Sequence, residues 1–349
     1  MSMSMTSRAP TFADVLTTWT FSPVADVVLL LAAFGYMGLV VRLWRRGERW
    51  PPVRIVSWCA ALVCLVLVLD SAVAIYAHQL FTAHMVVHLM MITVIPALLV
   101  WAQPIRLLHQ GGGRHTRGVI DRARLRWPWR ALLSARLTVP LYAAVLVLTH
   151  LTGFQQAMAT HMWIHDAELL LYLVSGYLLL VPLAGEELSV EPPWPYGLRL
   201  LVLAVCVGPD TLVGVTLMMS STVLAPAYAA SRSWGPDALT DQNIAGVIMW
   251  LGGDGLMMLL MVLVAGLWVR SGNSARSFGP WLDGVRRRAT LGEFASGGGD
   301  IDDEQAALDA YNARLAALHG HAARPHELEN MARGAVAVHG HVGSEPGER

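Results

Sequence analysis

Residues 80–104 read LFTAHMVVHLMMITVIPALLVWAQP. From Leu80 to Trp101 the stretch is apolar apart from Thr82, His84, His88 and Thr93. It has the length of about 20 residues that a helix needs to cross a bilayer. Its polar residues do not alternate at period two, as a membrane barrel strand would require. In lipid the backbone must satisfy its own hydrogen bonds, so the stretch predicts a helix. Six further runs share this character: Val27–Trp44, Ile55–Ala77, Leu137–Phe154, Met162–Leu183, Leu198–Leu224 and Ile244–Val269. The expected fold class is therefore all-α: a polytopic membrane helical bundle of seven transmembrane helices.

The composition agrees. Of 349 residues, 55% are hydrophobic and only 14% are charged, against roughly 25% charged in an ordinary soluble domain. Asp plus Glu number 25 and Lys plus Arg number 25, for a net charge of zero. Every basic residue is arginine, since lysine does not occur. A soluble globular enzyme, a disordered chain and a nucleic-acid binder working by charge are all excluded. So is a retinal photoreceptor, which needs a lysine for its Schiff base. The three cysteines, Cys59, Cys64 and Cys206, lie inside apolar runs without a CxxC pair, and imply no disulfide framework.

Arginine placement predicts orientation. Arg42, Arg45, Arg46, Arg49 and Arg54 follow the first run, eight arginines from Arg106 to Arg136 follow the third, and nine from Arg270 onward follow the seventh. With Arg199 these fall on one side, and only Arg8 and Arg232 fall on the other. The N-terminus is expected outside and the C-terminus in the cytoplasm of a bacterial cell, with the plasma membrane between. The acidic loop Gly185–Pro195 lacks arginine, but acidic residues weigh little in this rule. The first run is not expected to be a cleaved signal, because its positive charges follow the apolar segment. Three regions result: residues 1–23 as an external segment, 24–271 as the seven-helix transmembrane domain, and 272–349 as a cytoplasmic tail. The tail is expected to be largely disordered, with one short helix at Glu304–Leu318.

Six of the 13 histidines, His78, His84, His88, His150, His161 and His165, fall near the outer ends of the second to fifth runs. His84 and His88 are four apart, as are His161 and His165. On a helix an i, i+4 pair puts both imidazoles on one face. Two such pairs on two helices of a bundle could converge on one metal, and imidazole suits copper, zinc or iron. Met218 and Met249 lie near the outer ends of the sixth and seventh runs, and thioether ligation favours Cu(I). Asp70, Asp210 and Asp254 are carboxylates within apolar runs, where charge is costly and needs a partner. Asp70 and Asp210, with His150 and Met218, are candidates to support the ligands from behind. His319-Gly320-His321 and His339-Gly340-His341 could bind metal weakly. No nucleophile elbow, phosphate loop, HExxH or haem-attachment motif occurs.

The stretch 80–104 resembles the third helix of the seven-helix type of CtaG family, the cytochrome c oxidase assembly proteins. Residues 161–185, HMWIHDAELLLYLVSGYLLLVPLAG, resemble it too, as do Trp234, Gly235, Asp241-Gln242 and Gly246-Val247-Ile248-Met249-Trp250. In the tail, residues 303–318 with Ala310-Tyr311-Asn312 are similar to actinobacterial-type members. The likeness covers roughly residues 70–320. It implies a non-enzymatic membrane protein needed to assemble haem–copper oxidase through copper handling on the outer face. Its partners would be oxidase subunits or other assembly factors, and the metal candidates carried over are His84, His88, His161 and His165, with Asp241 and Met249 nearby. Many members carry a histidine on the sixth helix where this chain reads Gly208-Pro209-Asp210-Thr211. Two other readings stand beside this one. One is a b-type haem protein or membrane oxidoreductase, since histidines on facing helices can ligate haem axially. The other is a metal-free scaffold.

Overall fold

The structure is a computed structural model, and it describes residues 11–184, 194–226, 228, 233–270 and 312. The predicted tail helix, apart from Asn312, both His-Gly-His pieces and most of the loop Gly185–Pro195 lie outside the described residues. Among the described residues the chain is helical, without a strand beyond an isolated bridge between Trp19 and Ser71. The helices are α1 (Phe12–Thr17), α2 (Pro23–Arg45), α3 (Pro52–Asp70), α4 (Ala72–Ala77) and α5 (Phe81–Leu89). A π-helical turn, Met90–Val94, leads into α6 (Ile95–Ala102), α7 (Pro104–Gly111), α8 (Arg114–Leu125) and α9 (Trp127–Leu132). Then come α10 (Ala135–His150), α11 (Phe154–Thr160), α12 (Met162–Ala184), α13 (Tyr196–Met219) and α14 (Ala238–Arg270).

Among the described residues, six helical segments are long and apolar enough to cross a membrane: Pro23–Arg45, Pro52–Asp70, Phe81–Gly111, Trp163–Leu183, Tyr196–Met219 and Ala238–Arg270. The expected fourth span, Leu137–Phe154, is the 16-residue helix α10, which rises only about 24 Å. It ends at His150 because Leu151 leaves the helical region and Gly153 is the N-cap of α11. The second run also breaks early. Ser71 turns extended after Asp70, and its hydroxyl caps the Val73 amide at 3.1 Å, so Ala72–Ala77 forms a separate short helix. The outward faces suit lipid: on α2, Val24, Leu31 and Phe34 are all largely exposed.

Two apolar clusters hold the bundle. The larger joins α3, α5, α6, α10, α12, α13 and α14; the smaller sits at the arginine-bearing ends of α2 and α3. In the smaller cluster Tyr36 stacks on Trp58 at 4.4 Å, and its hydroxyl donates to the Ala102 carbonyl at 2.9 Å.

Three devices position the opposite end of the bundle. Asp241 on α14 accepts from the amides of Phe81 at 2.8 Å and Thr82 at 3.2 Å. These are orphan donors of α5's first turn, so a residue 160 positions away in sequence acts as the missing N-cap. Gly176 lets α12 press directly against the Ile92 carbonyl in the π turn, where any Cβ would collide with that oxygen. Gly214 and Gly246 do the same between α13 and α14. Close approach at Gly176 brings the first turns of α12 up against the histidine-bearing face of α5.

Candidate metal centre

His84 and His88, one turn apart on α5, project side by side with ring centroids 4.0 Å apart. Across from them α12 presents His165, Glu168 and Tyr172, spaced three and four apart on one helix face. Glu168 is the link. Its Oε2 lies 3.8 Å from His84 Nε2 and 3.5 Å from His88 Nε2, and all three side chains are wholly buried. His84, His88 and Glu168 each offer a ligand atom within 4.8 Å of the others.

These atoms are close but unpaired. Among the described residues, His84 Nδ1 and Nε2, His88 Nε2, His165 Nε2 and both Glu168 oxygens are buried and meet no hydrogen-bond partner. A buried polar atom left unpaired costs about 1–3 kcal/mol, and six in one cluster is far from the usual few per hundred residues. A cation at the point of convergence would engage one nitrogen each of His84 and His88 and the Glu168 carboxylate, leaving the second His84 nitrogen and His165 Nε2 to other partners. Metal bonds of about 2.0–2.2 Å put tetrahedral ligand atoms about 3.3–3.6 Å apart, close to the separations seen here. Beside two neutral imidazoles, an ionised Glu168 would be a buried negative charge that a cation balances.

Behind the cluster, hydrogen bonds choose the tautomers. His150 on α10 points Nδ1 at the Leu146 carbonyl, 2.8 Å away. That nitrogen must carry the proton, so Nε2 is an acceptor. His150 Nε2 lies 3.1 Å from His88 Nδ1, which makes the latter a donor. His88 Nε2 is then a free lone pair aimed at Glu168, the state a metal ligand requires. Tyr172 closes the network, donating to Thr149 Oγ1 at 2.6 Å while that hydroxyl donates to the Val145 carbonyl at 2.7 Å.

His165 sits at the rim of the cluster, its ring 5.7 Å from His84 and 4.6 Å from His78. Its Nδ1 is 3.7 Å from the exposed Asp166. Burial pushes the His78 pKa below the usual histidine range, against the opposing pull of Asp166.

Other expected residues lie elsewhere. His161 does not share a helix face with His165: it precedes α12 in extended conformation, and its exposed ring points Nδ1 to the Ala157 carbonyl at 3.1 Å. The i, i+4 rule holds only inside a helix, and the chain turns between α11 and α12. Asp241 spends its carboxylate on the α5 amides. Met249 is fully buried in the larger apolar cluster, and Met218 borders the close contact at Gly246. Asp70 faces Ser22 and Asp26 at the start of α2, not the histidines. Asp210 accepts both of its bonds from the Tyr142 hydroxyl, at 3.0 and 3.1 Å. Of the expected supporting residues, His150 alone joins the network. Glu168 is absent from the sequence-based candidates. Its signal was an acidic residue three positions after His165 inside an apolar run, the same spacing that joins ligands on one helix face.

These features define a class: a polytopic helical membrane protein with a buried His–His–Glu cluster near one end of its bundle. The family model described as cytochrome c oxidase caa3 assembly factor matches residues 34–271, a range that contains the whole cluster. The chain belongs to that family. It is 28% identical to an uncharacterized protein of Mycobacterium bovis, and equally to one of Mycobacterium tuberculosis, over 89% of its own length and 46% of theirs. With an uncharacterized protein of Mycobacterium leprae it shares 26% identity over 75% of its length and 41% of that protein's. The chain thus spans less than half the length of the curated relatives it matches. No solved structure matches it.

Proposed function

We propose that this protein serves cytochrome c oxidase assembly by carrying copper in the bacterial plasma membrane, without catalysing a reaction. Family membership supports the process, and the convergence of unpaired ligand atoms on His84, His88 and Glu168 supports the chemistry. The N-terminus lies outside in this reading, and the arginine-bearing ends face the cytoplasm. The site then lies toward the outer aqueous side, where copper arrives without crossing the bilayer. The recipient is an oxidase subunit or a second assembly factor.

Each residue has a separate task. His88 is held as a ready lone pair by His150. His84 stands beside it, and Glu168 contributes the charge that makes a buried cation tolerable. Imidazole nitrogen and carboxylate oxygen suit divalent copper, whereas the methionines of the sequence pointed to Cu(I), so both states belong in the test.

Full-length protein purified in detergent and exposed in turn to Cu(II), Cu(I) and Zn(II) should retain close to one copper per chain by elemental analysis after desalting. A visible spectrum distinguishes the haem reading, which requires an intense porphyrin band. Folded protein that retains no copper in either state refutes the carrier reading and leaves the metal-free scaffold.

A further inference from the structure

A buried site needs a way in. Beside the cluster lies a cleft of about 870 Å³ between the segment Trp19–Ser22, the ends of α3 and α4, and the first turns of α12. Ser22, Val68, Ala74 and Leu169 line it together with His78 and His165. His165 is shared: it walls the cleft, and its buried Nε2, which has no hydrogen-bond partner, belongs to the group of unpaired atoms around the cluster.

From the cleft inward the imidazoles form a file. Ring centroids are 4.6 Å apart from His78 to His165, 5.7 Å from His165 to His84, and 4.0 Å from His84 to His88. An ion bound to two nitrogens at about 2.0 Å each bridges roughly 4 Å. Ring centres this near one another would let it pass along the file by exchanging one imidazole at a time. Asp166, whose side chain is 75% exposed, adds negative charge at the mouth, which raises the local concentration of cations.

We propose that this cleft is the port of the metal site, and that His78 and His165 form an outer station passing copper to and from His84, His88 and Glu168. The proposal rests on the copper-carrier reading and adds a route to it. His78 takes no part in resting coordination; it serves transit only.

The test is the rate of copper uptake by full-length protein in nanodiscs, with Cu(II) supplied from a coloured chelator and the chelator's absorbance followed in time. Elemental analysis gives the end point. In His78→Ala the end point should match the wild type while uptake slows by about tenfold, the low end of what loss of a supporting group costs. Ala74→Trp, which fills the cleft beside His78, should slow uptake similarly. If the wild type takes up copper and both variants load at its rate, the port is wrong and the carrier reading survives. If His78→Ala loses copper at the end point, His78 is a resting ligand and the transit role is wrong. If the wild type takes up nothing, the carrier reading itself fails.

Discussion

Two sets of buried carboxylates in this bundle have opposite surroundings. Asp210 and Asp254, on α13 and α14, are met by hydroxyls: Tyr142 donates to Asp210, and Thr211 donates to Asp254 at 2.9 and 3.1 Å. Glu168, on α12, is as deeply buried and has no hydrogen-bond donor. Both sets meet the high cost of a carboxylate away from water. The first offsets it with hydrogen bonds and so ties helices together. The second is left open between two imidazoles. Whether an acidic residue in a membrane helix is satisfied thus depends on what stands opposite, and not on its depth.

The sharpest way to break this contrast is Glu168→Gln. It should abolish stoichiometric copper, a larger loss than the roughly 10–100-fold that removing a supporting group brings. The metal-free thermal midpoint should hold or rise, because a buried charge without a partner disappears. A lowered midpoint with copper content intact would place Glu168 with the structural carboxylates. Next in size is His150→Phe, which removes the acceptor that orients His88. Copper affinity, read by competition with a chelator, should weaken by about 10–100-fold; an unchanged affinity would show that His88 needs no such support.

Tyr142→Phe tests the other side. It strands Asp210 and should lower unfolding stability by about 1–3 kcal/mol, measured by denaturing-detergent titration, while copper content stays at the wild-type level. Loss of copper with stability preserved would draw Asp210 into the ligand set and erase the distinction. The smallest effect is expected for His109→Ala. This histidine lies on α7, and its 3.1 Å contact with Asp121 is partly exposed. Copper should be unaffected and stability should change by no more than about 0.5 kcal/mol.

The legible part of the site follows from local geometry. His84 and His88 were visible as a pair because four residues on a continuous helix always share a face, and the run around them is unmistakably helical. The same spacing misled at His161 and His165, where the helix begins one residue after His161. A short turn of this kind leaves little trace in an apolar stretch. His150 was visible as a polar residue at the right depth, but its bond to His88 depends on how α10 meets α5. Asp241 showed up as a candidate ligand, and only the contact between α14 and α5 reveals it as the cap of α5.

By itself the sequence determined the helical membrane class and the face of α5 that carries both histidines, because apolar run length and the 3.6-residue period are properties of one segment at a time. Tertiary structure alone decided which carboxylate joins those histidines. Glu168, Asp70, Asp210 and Asp241 are alike as acidic residues in or beside apolar helices, and no single segment says what each will face. That is set by pairs of helices meeting at particular heights, through contacts such as Gly176 against Ile92. The backbone approach there seats α12 on the π turn of α5, and with it Glu168 between two imidazoles.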